Sequence, residues 1–166
     1  RGSFKIRGEI STEQIKNGKE LTVTDFSMTR FNITMNQAIK LIFDSIKLGN
    51  GGEIFVPKLK SYKLETLKDS LFEVLKTSVD IKKILVRPGE KFHESLISEE
   101  ELRNTYEIDD YYIIFDRQMN QETYSKWDCL EETKRTEQYS SDKVEFLSKD
   151  ELIKILINEN MIKDVN

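Results

Sequence analysis

The 166-residue chain carries 37% hydrophobic and 34% charged residues, with a net charge of −4 and an isoelectric point near 5.3. That apolar supply suits one folded domain with a modest core, which excludes a disordered chain, and the acidic balance argues against a general nucleic-acid binder. No apolar run approaches the ~20 residues of a membrane span, no secretory leader is visible, and a single cysteine, Cys129, rules out an internal disulfide framework, so a cytoplasmic location is expected.

In chain order, the first clear element is a helix from Thr34 to about Leu48. Thr34 and Gln37 have capping-box spacing, and Ile39, Ile42, Phe43 and Ile46 fall on one helical face. Gly49 reads as its C-cap, with Gly51 and Gly52 preventing continuation. Glu53 to Val56 is β-prone and stopped by Pro57. A second helix is expected over 63–76, with Leu64, Leu67, Leu71, Val74 and Leu75 as its apolar stripe. Ile81 to Val86 reads as a strand that ends in the turn 87–91. Ser98 with Glu101 starts a short helix, and Tyr111 to Phe115 is a strand. Residues 117–143 are polar and aperiodic and read as a long loop, and Ser148 with Glu151 caps a last helix that docks through Leu152, Ile155 and Leu156. The alternation of helix and strand gives the α/β or α+β class, with too few strands for a doubly wound nucleotide-binding domain.

Charge is unevenly placed. Lys58, Lys60, Lys63, Lys82, Lys83, Arg87 and Lys91 give the middle a basic lean, whereas Glu99, Glu100, Glu101, Asp109 and Asp110 turn the next stretch acidic. Solvated faces account for this, and so does a local anion site; charge alone leaves both open.

Much common chemistry is absent from the sequence. Neither G-x-G-x-x-G nor a P-loop is present, and the glycines at 49, 51 and 52 follow a helix instead of a strand. His93 and Cys129 are the only residues of their types, which gives a zinc site little support. Tyr139 and Lys143 have the Y-x-x-x-K spacing of a dehydrogenase pair, but in a polar loop that has nothing to hold them at a cofactor. Two constellations remain. Thr24 to Phe31 places Arg30 just before a capped helix, and Arg87 to Glu94 places Arg87 in a turn stiffened by Pro88. The planar guanidinium fork suits phosphate oxygens, and structural ion pairs are the competing reading.

At these constellations the sequence resembles a known family. Gly18 to Asp25 leading into Met28-Thr29-Arg30-Phe31, then Gly49 to Lys58, then Arg87 to Glu94, Arg103 to Tyr106, Tyr111-Tyr112 and Tyr139-Ser140-Ser141 resemble the CapD/FlaA-like polysaccharide biosynthesis family. These are extended short-chain dehydrogenases that include UDP-N-acetylglucosamine 4,6-dehydratases and UDP-sugar 4-epimerases. The resemblance implies a small C-terminal substrate lobe without its Rossmann domain. Residues 14–116 would form the substrate-binding lobe, 117–143 a polar loop and 144–166 an extended segment and helix. Arg1-Gly2-Ser3 resembles the end of the family's substrate-loop motif, but Phe4 to Thr12 is polar and lacks the usual proline, so 1–13 is set apart as a divergent or added segment.

By the same resemblance, Arg30 and Arg87 lie near the UDP portion, Glu90 lies near the ribose or orients Arg87, His93 and Glu94 support that loop, and Thr29 lines the pocket. NADP or NAD and the catalytic Tyr and Lys belong to the Rossmann half, so no catalytic, cofactor or metal residue is expected here, and the chain alone is expected to be inactive. The implied partners are a UDP-sugar, the missing Rossmann domain and further copies of the chain, with no nucleic acid. The faces of both long helices are expected to be partly covered by that missing half. A non-catalytic binding or assembly module derived from the lobe is the alternative, and dehydratase versus epimerase stays open.

Overall fold

The computed structural model describes residues 5–6, 10–115, 127 and 130–159, and the chain folds into two compact units. The first comprises residues 1–32, 60–94 and 145–166, and the second comprises 33–59 and 95–144.

In the first unit, β1 (Lys5–Ile6) and β2 (Ile10–Ser11) pair antiparallel ahead of the short helix α1 (Thr12–Lys16). β3 (Leu21–Val23) runs parallel to β7 (Ile81–Lys83), and β4 (Thr29–Phe31) runs antiparallel to β6 (Ser61–Lys63). Helix α3 (Leu64–Leu75) leaves directly from β6. Its Leu64, Leu67 and Leu71 share one face and are buried, each contributing about 1.5–3 kcal/mol by leaving water. Ser70 lies on that face too, and its hydroxyl donates to the Thr66 carbonyl at 2.7 Å, so no donor is orphaned.

Helix α4 (Lys149–Asn158) begins with the expected reciprocal cap. Glu151 N donates to Ser148 Oγ at 3.2 Å, and Ser148 N donates to the Glu151 carboxylate at 2.8 Å. Leu152 and Leu156 then enter the core formed by Ile15, Leu21, Val23, Met28, Tyr62 and the α3 leucines, with Ile155 packed against it. The apolar face of α3, expected to need an outside cover, is thus occupied by this unit's own core.

The second unit is built on a four-stranded antiparallel sheet in the order β11–β9–β10–β5, comprising β5 (Ile54–Pro57), β9 (Thr105–Ile108), β10 (Tyr111–Ile114) and β11 (Glu131–Glu132). The β9–β10 hairpin turns at Asp109, whose φ of 42° is a left-handed conformation that a short polar side chain tolerates. Residues 111–115 are buried throughout, so β10 is covered on both faces. On one face, Tyr111, Ile113 and Phe115 pack with Phe55, Tyr106 and Trp127, and the Tyr106 and Phe115 rings meet edge-on at 5.4 Å. On the other, Tyr112 lies 5.0 Å from Tyr139 between ring centroids.

Helix α2 (Met35–Leu48) carries the Thr34–Gln37 capping box and packs on the sheet through Leu41. Tyr111 Oη donates to Asp44 at 2.6 Å, tying the helix to β10. Its opposite face, Met35, Ile39, Ile42, Phe43 and Ile46, stays exposed, reaching 74% at Ile46.

Where described, the stretch expected to be a polar loop holds more structure than its composition suggests. It contributes β11 and also β12 (Tyr139–Ser140), which pairs with β8 (Ser95–Ile97), and Tyr139, Ser140 and Ser141 are buried. Ladder hydrogen bonds hold these short strands, and such bonds leave no hydrophobic period to read. Residues 117–126, 128 and 129 of that stretch lie outside the described residues, as do 1–4 and 7–9 of the N-terminal segment.

Candidate functional site

Thr24, Thr29, Arg30, Arg87, Glu90, His93 and Glu94 all fall in the first unit, where the parallel β3–β7 pair and the strand β4 bring their backbones together. Beyond β3 the chain makes a tight turn. The Asp25 carboxylate accepts Ser27 Oγ at 2.6 Å and Ser27 N at 2.7 Å, which lowers its pKa. This turn sends Met28 into the core and leaves Thr29 buried at the start of β4.

β4 is then laced to the segment 92–94. Thr29 N donates to the Phe92 carbonyl at 3.0 Å, and Thr29 Oγ1 lies 2.8 Å from His93 Nδ1. Arg30 Nη1 donates to the Thr29 carbonyl at 2.7 Å and to the Phe92 carbonyl at 3.1 Å, and its side chain is only 11% exposed. Phe31 N donates to the Glu94 carboxylate at 2.9 Å, and the other Glu94 oxygen lies 4.0 Å from Arg30 Nε. Arg30 and Glu94 therefore act first as fasteners of this segment, while the His93 ring is exposed.

Arg87 is placed differently. Residues 87–90 form a β-turn in which Glu90 N donates to the Arg87 carbonyl at 3.0 Å, and Gly89 takes a φ of +82° that only glycine adopts without strain. Pro88 at the preceding position fixes the other half of this type II turn. The Glu90 carboxylate accepts Arg87 N at 3.0 Å and the Thr24 hydroxyl at 3.2 Å. Among the described residues the exposed Arg87 guanidinium has no hydrogen-bond or ion-pair partner. A fixed backbone carrying an unneutralised planar cation is suited to binding an oxyanion. Thr24 was not among the expected site residues; no periodicity or motif spacing signals a contact made across 66 residues.

The other sequence signals resolve into structure. Tyr139 Oη accepts Leu59 N at 2.5 Å, with the Leu59 and Pro57 carbonyls at 3.2 and 3.3 Å, and burial raises its pKa. Lys143 Nζ meets Glu137 at 2.6 Å, so the Y-x-x-x-K pair serves packing and surface pairing. The glycine cluster after α2 does not fit a dinucleotide, because the Asn50 and Gly51 amides already donate to the Glu53 carboxylate at 3.1 and 2.7 Å. Among the described residues no group of three His, Cys, Asp or Glu is arranged to hold a metal ion, and no helix is long and apolar enough to cross a membrane.

The chain is 34% identical to a membrane protein of Methanocaldococcus jannaschii over 151 residues, 87% of this chain and 42% of that protein. It is 34% identical to the UDP-glucose 4-epimerase of Rickettsia rickettsii over 155 residues, 91% of this chain and 45% of that enzyme. It is 40% identical to the inverting UDP-N-acetylglucosamine 4,6-dehydratase of Campylobacter jejuni over 96 residues, 58% of this chain and 28% of that enzyme. The crystal structure of Pen from Bacillus thuringiensis superposes with a TM-score of 0.79 at 32% identity, covering 91% of this chain and 45% of that one. The chain thus spans less than half the length of these relatives. With residues 9–116 matching its family description directly, the chain belongs to the polysaccharide biosynthesis protein family, which includes UDP-sugar epimerases and dehydratases.

Proposed function

We propose that this chain is the UDP-sugar-binding portion of a nucleotide-sugar 4-epimerase or 4,6-dehydratase of bacterial surface polysaccharide synthesis, working in the cytoplasm. The observation that carries this reading is the exposed Arg87 guanidinium, without a partner among the described residues, on a rigid turn. Arg87 meets the diphosphate oxygens, Glu90 sets the Arg87 turn, and Arg30, Thr29, His93 and Glu94 hold the adjoining segment that lines the nucleotide. The relatives' names support the UDP-sugar substrate class. The NAD(P) chemistry and the catalytic Tyr and Lys belong to a Rossmann portion outside residues 14–116, so no step of the reaction is assigned to this chain's own side chains. A homo-oligomer is part of the same proposal.

Calorimetric titration of the chain with UDP and, separately, with NADP tests it. UDP is expected to bind and NADP is not. Arg87→Ala removes charge-assisted hydrogen bonds of about 1.5–3 kcal/mol, so UDP affinity should fall about 10- to 100-fold. Undiminished UDP binding by a folded Arg87→Ala protein overturns the placement of the nucleotide.

A further inference from the structure

We propose that Thr24 is a positioning residue for the anion-binding turn: it holds the Glu90 carboxylate on the Arg87 backbone amide and so keeps it from neutralising the Arg87 guanidinium. This rests on the nucleotide-sugar reading above and deepens it.

The turn carries an internal conflict. A carboxylate three residues beyond an arginine in a tight turn is well placed to pair with that arginine's side chain, and the pair would compete with any bound phosphate. In this turn the carboxylate is directed elsewhere. One Glu90 oxygen accepts Arg87 N at 3.0 Å, and both lie 3.2 Å from the Thr24 hydroxyl. Thr24 follows β3 directly, and β3 is fixed to the strand that leads into the turn. Val23 is in register with Lys83, and Ile84 N donates to the Val23 carbonyl at 3.0 Å. The hydroxyl is therefore delivered by the parallel ladder, at a site remote in sequence from the turn it braces. The guanidinium is left without a partner among the described residues although its own turn contains an anion.

The mechanism predicts more than a loosened loop. Thr24→Val keeps the side-chain shape and removes the donor, which releases one hold on Glu90 and lets it swing toward Arg87. UDP affinity should then fall roughly three- to tenfold, the scale of an added competing ion pair. Thr24→Ser keeps the donor and should stay close to the parent. Adding Glu90→Gln to Thr24→Val removes the competing charge, so the double variant should bind UDP more tightly than Thr24→Val alone, which no general folding defect would produce.

The experiment is a calorimetric UDP titration of the parent chain, these three variants and Arg87→Ala, with a melting curve for each. Unchanged affinity in Thr24→Val, or a double variant no tighter than Thr24→Val, overturns the positioning role. If Thr24→Val proves poorly folded, Thr24→Ala with and without Glu90→Gln makes the same comparison. Undiminished UDP binding by Arg87→Ala would instead remove the nucleotide reading itself, so the two failures are distinguishable.

Discussion

Replacing Arg30 by alanine should act on stability, and replacing Arg87 should act on binding. The Arg30 guanidinium donates to the Thr29 and Phe92 carbonyls at 2.7 and 3.1 Å from a side chain only 11% exposed. Hydrogen bonds to a charged group contribute about 1.5–3 kcal/mol each, but two from one nitrogen are not additive, and water entering the vacated space recovers part of the loss. A net destabilisation of about 2–4 kcal/mol follows. For a domain of this size that lowers the melting temperature by roughly 5–15 °C. Circular-dichroism melting of Arg30→Ala beside Arg87→Ala makes the measurement, with a UDP titration of each below its melting point. Arg30→Ala should lose stability first and UDP binding as a consequence, whereas Arg87→Ala should lose binding with its melting temperature nearly unchanged. Arg30→Lys should restore only part, since an ammonium keeps the charge but lacks the planar guanidinium that sets Nη1 between the two carbonyls. If Arg30→Ala melted like the parent and still lost UDP, Arg30 would be a direct ligand and the fastening role would be refuted.

Two further outcomes are expected. The Glu151 carboxyl is held down to about 2 by the Ser148 backbone N–H and the Lys60 ammonium. Its ordinary value is 4.5, so the stabilisation it supplies is fully present above that pH and is lost as pH falls through about 2. Glu151→Gln should therefore lower the urea midpoint at neutral pH, with the gap to the parent closing at the acid end; a gap that stays constant with pH would show that the charge is not responsible. Separately, Met35, Ile39, Ile42 and Ile46 follow the 4-3-4 spacing of a coiled-coil seam on the exposed side of α2. The chain should associate with itself as concentration rises, and Ile42→Lys with Ile46→Lys should suppress this in sedimentation without lowering the melting temperature; monomeric behaviour of the parent throughout would refute it.

Much was legible in the sequence because the signals were local. The three capping-box spacings at Thr34, Ser98 and Ser148 all make their reciprocal bonds, since a hydroxyl and a carboxamide or carboxylate three residues apart can reach each other's backbone N–H in any helix start. The α3 leucines and the run 111–115 declared their burial by period and by continuous apolarity. The turn 87–90 was written in Pro88-Gly89, because one residue fixes φ and the other alone accepts a positive one.

Tertiary structure decided which of two similar arginines is bound by its own chain and which is left exposed. Arg30 and Arg87 look alike in sequence, each beside a rigid turn. The difference arises because β4 packs along residues 92–94 and offers Arg30 two carbonyls, while Thr24 takes the carboxylate nearest Arg87. It also decided that the face of α3 is filled by α4 and β3 while the outer face of α2 is not, a choice that amphipathic spacing cannot make because it shows that a stripe must be covered without naming the cover. Partners far apart in sequence are selected by strand pairing and core packing together, and these contacts exist only once the chain has closed on itself.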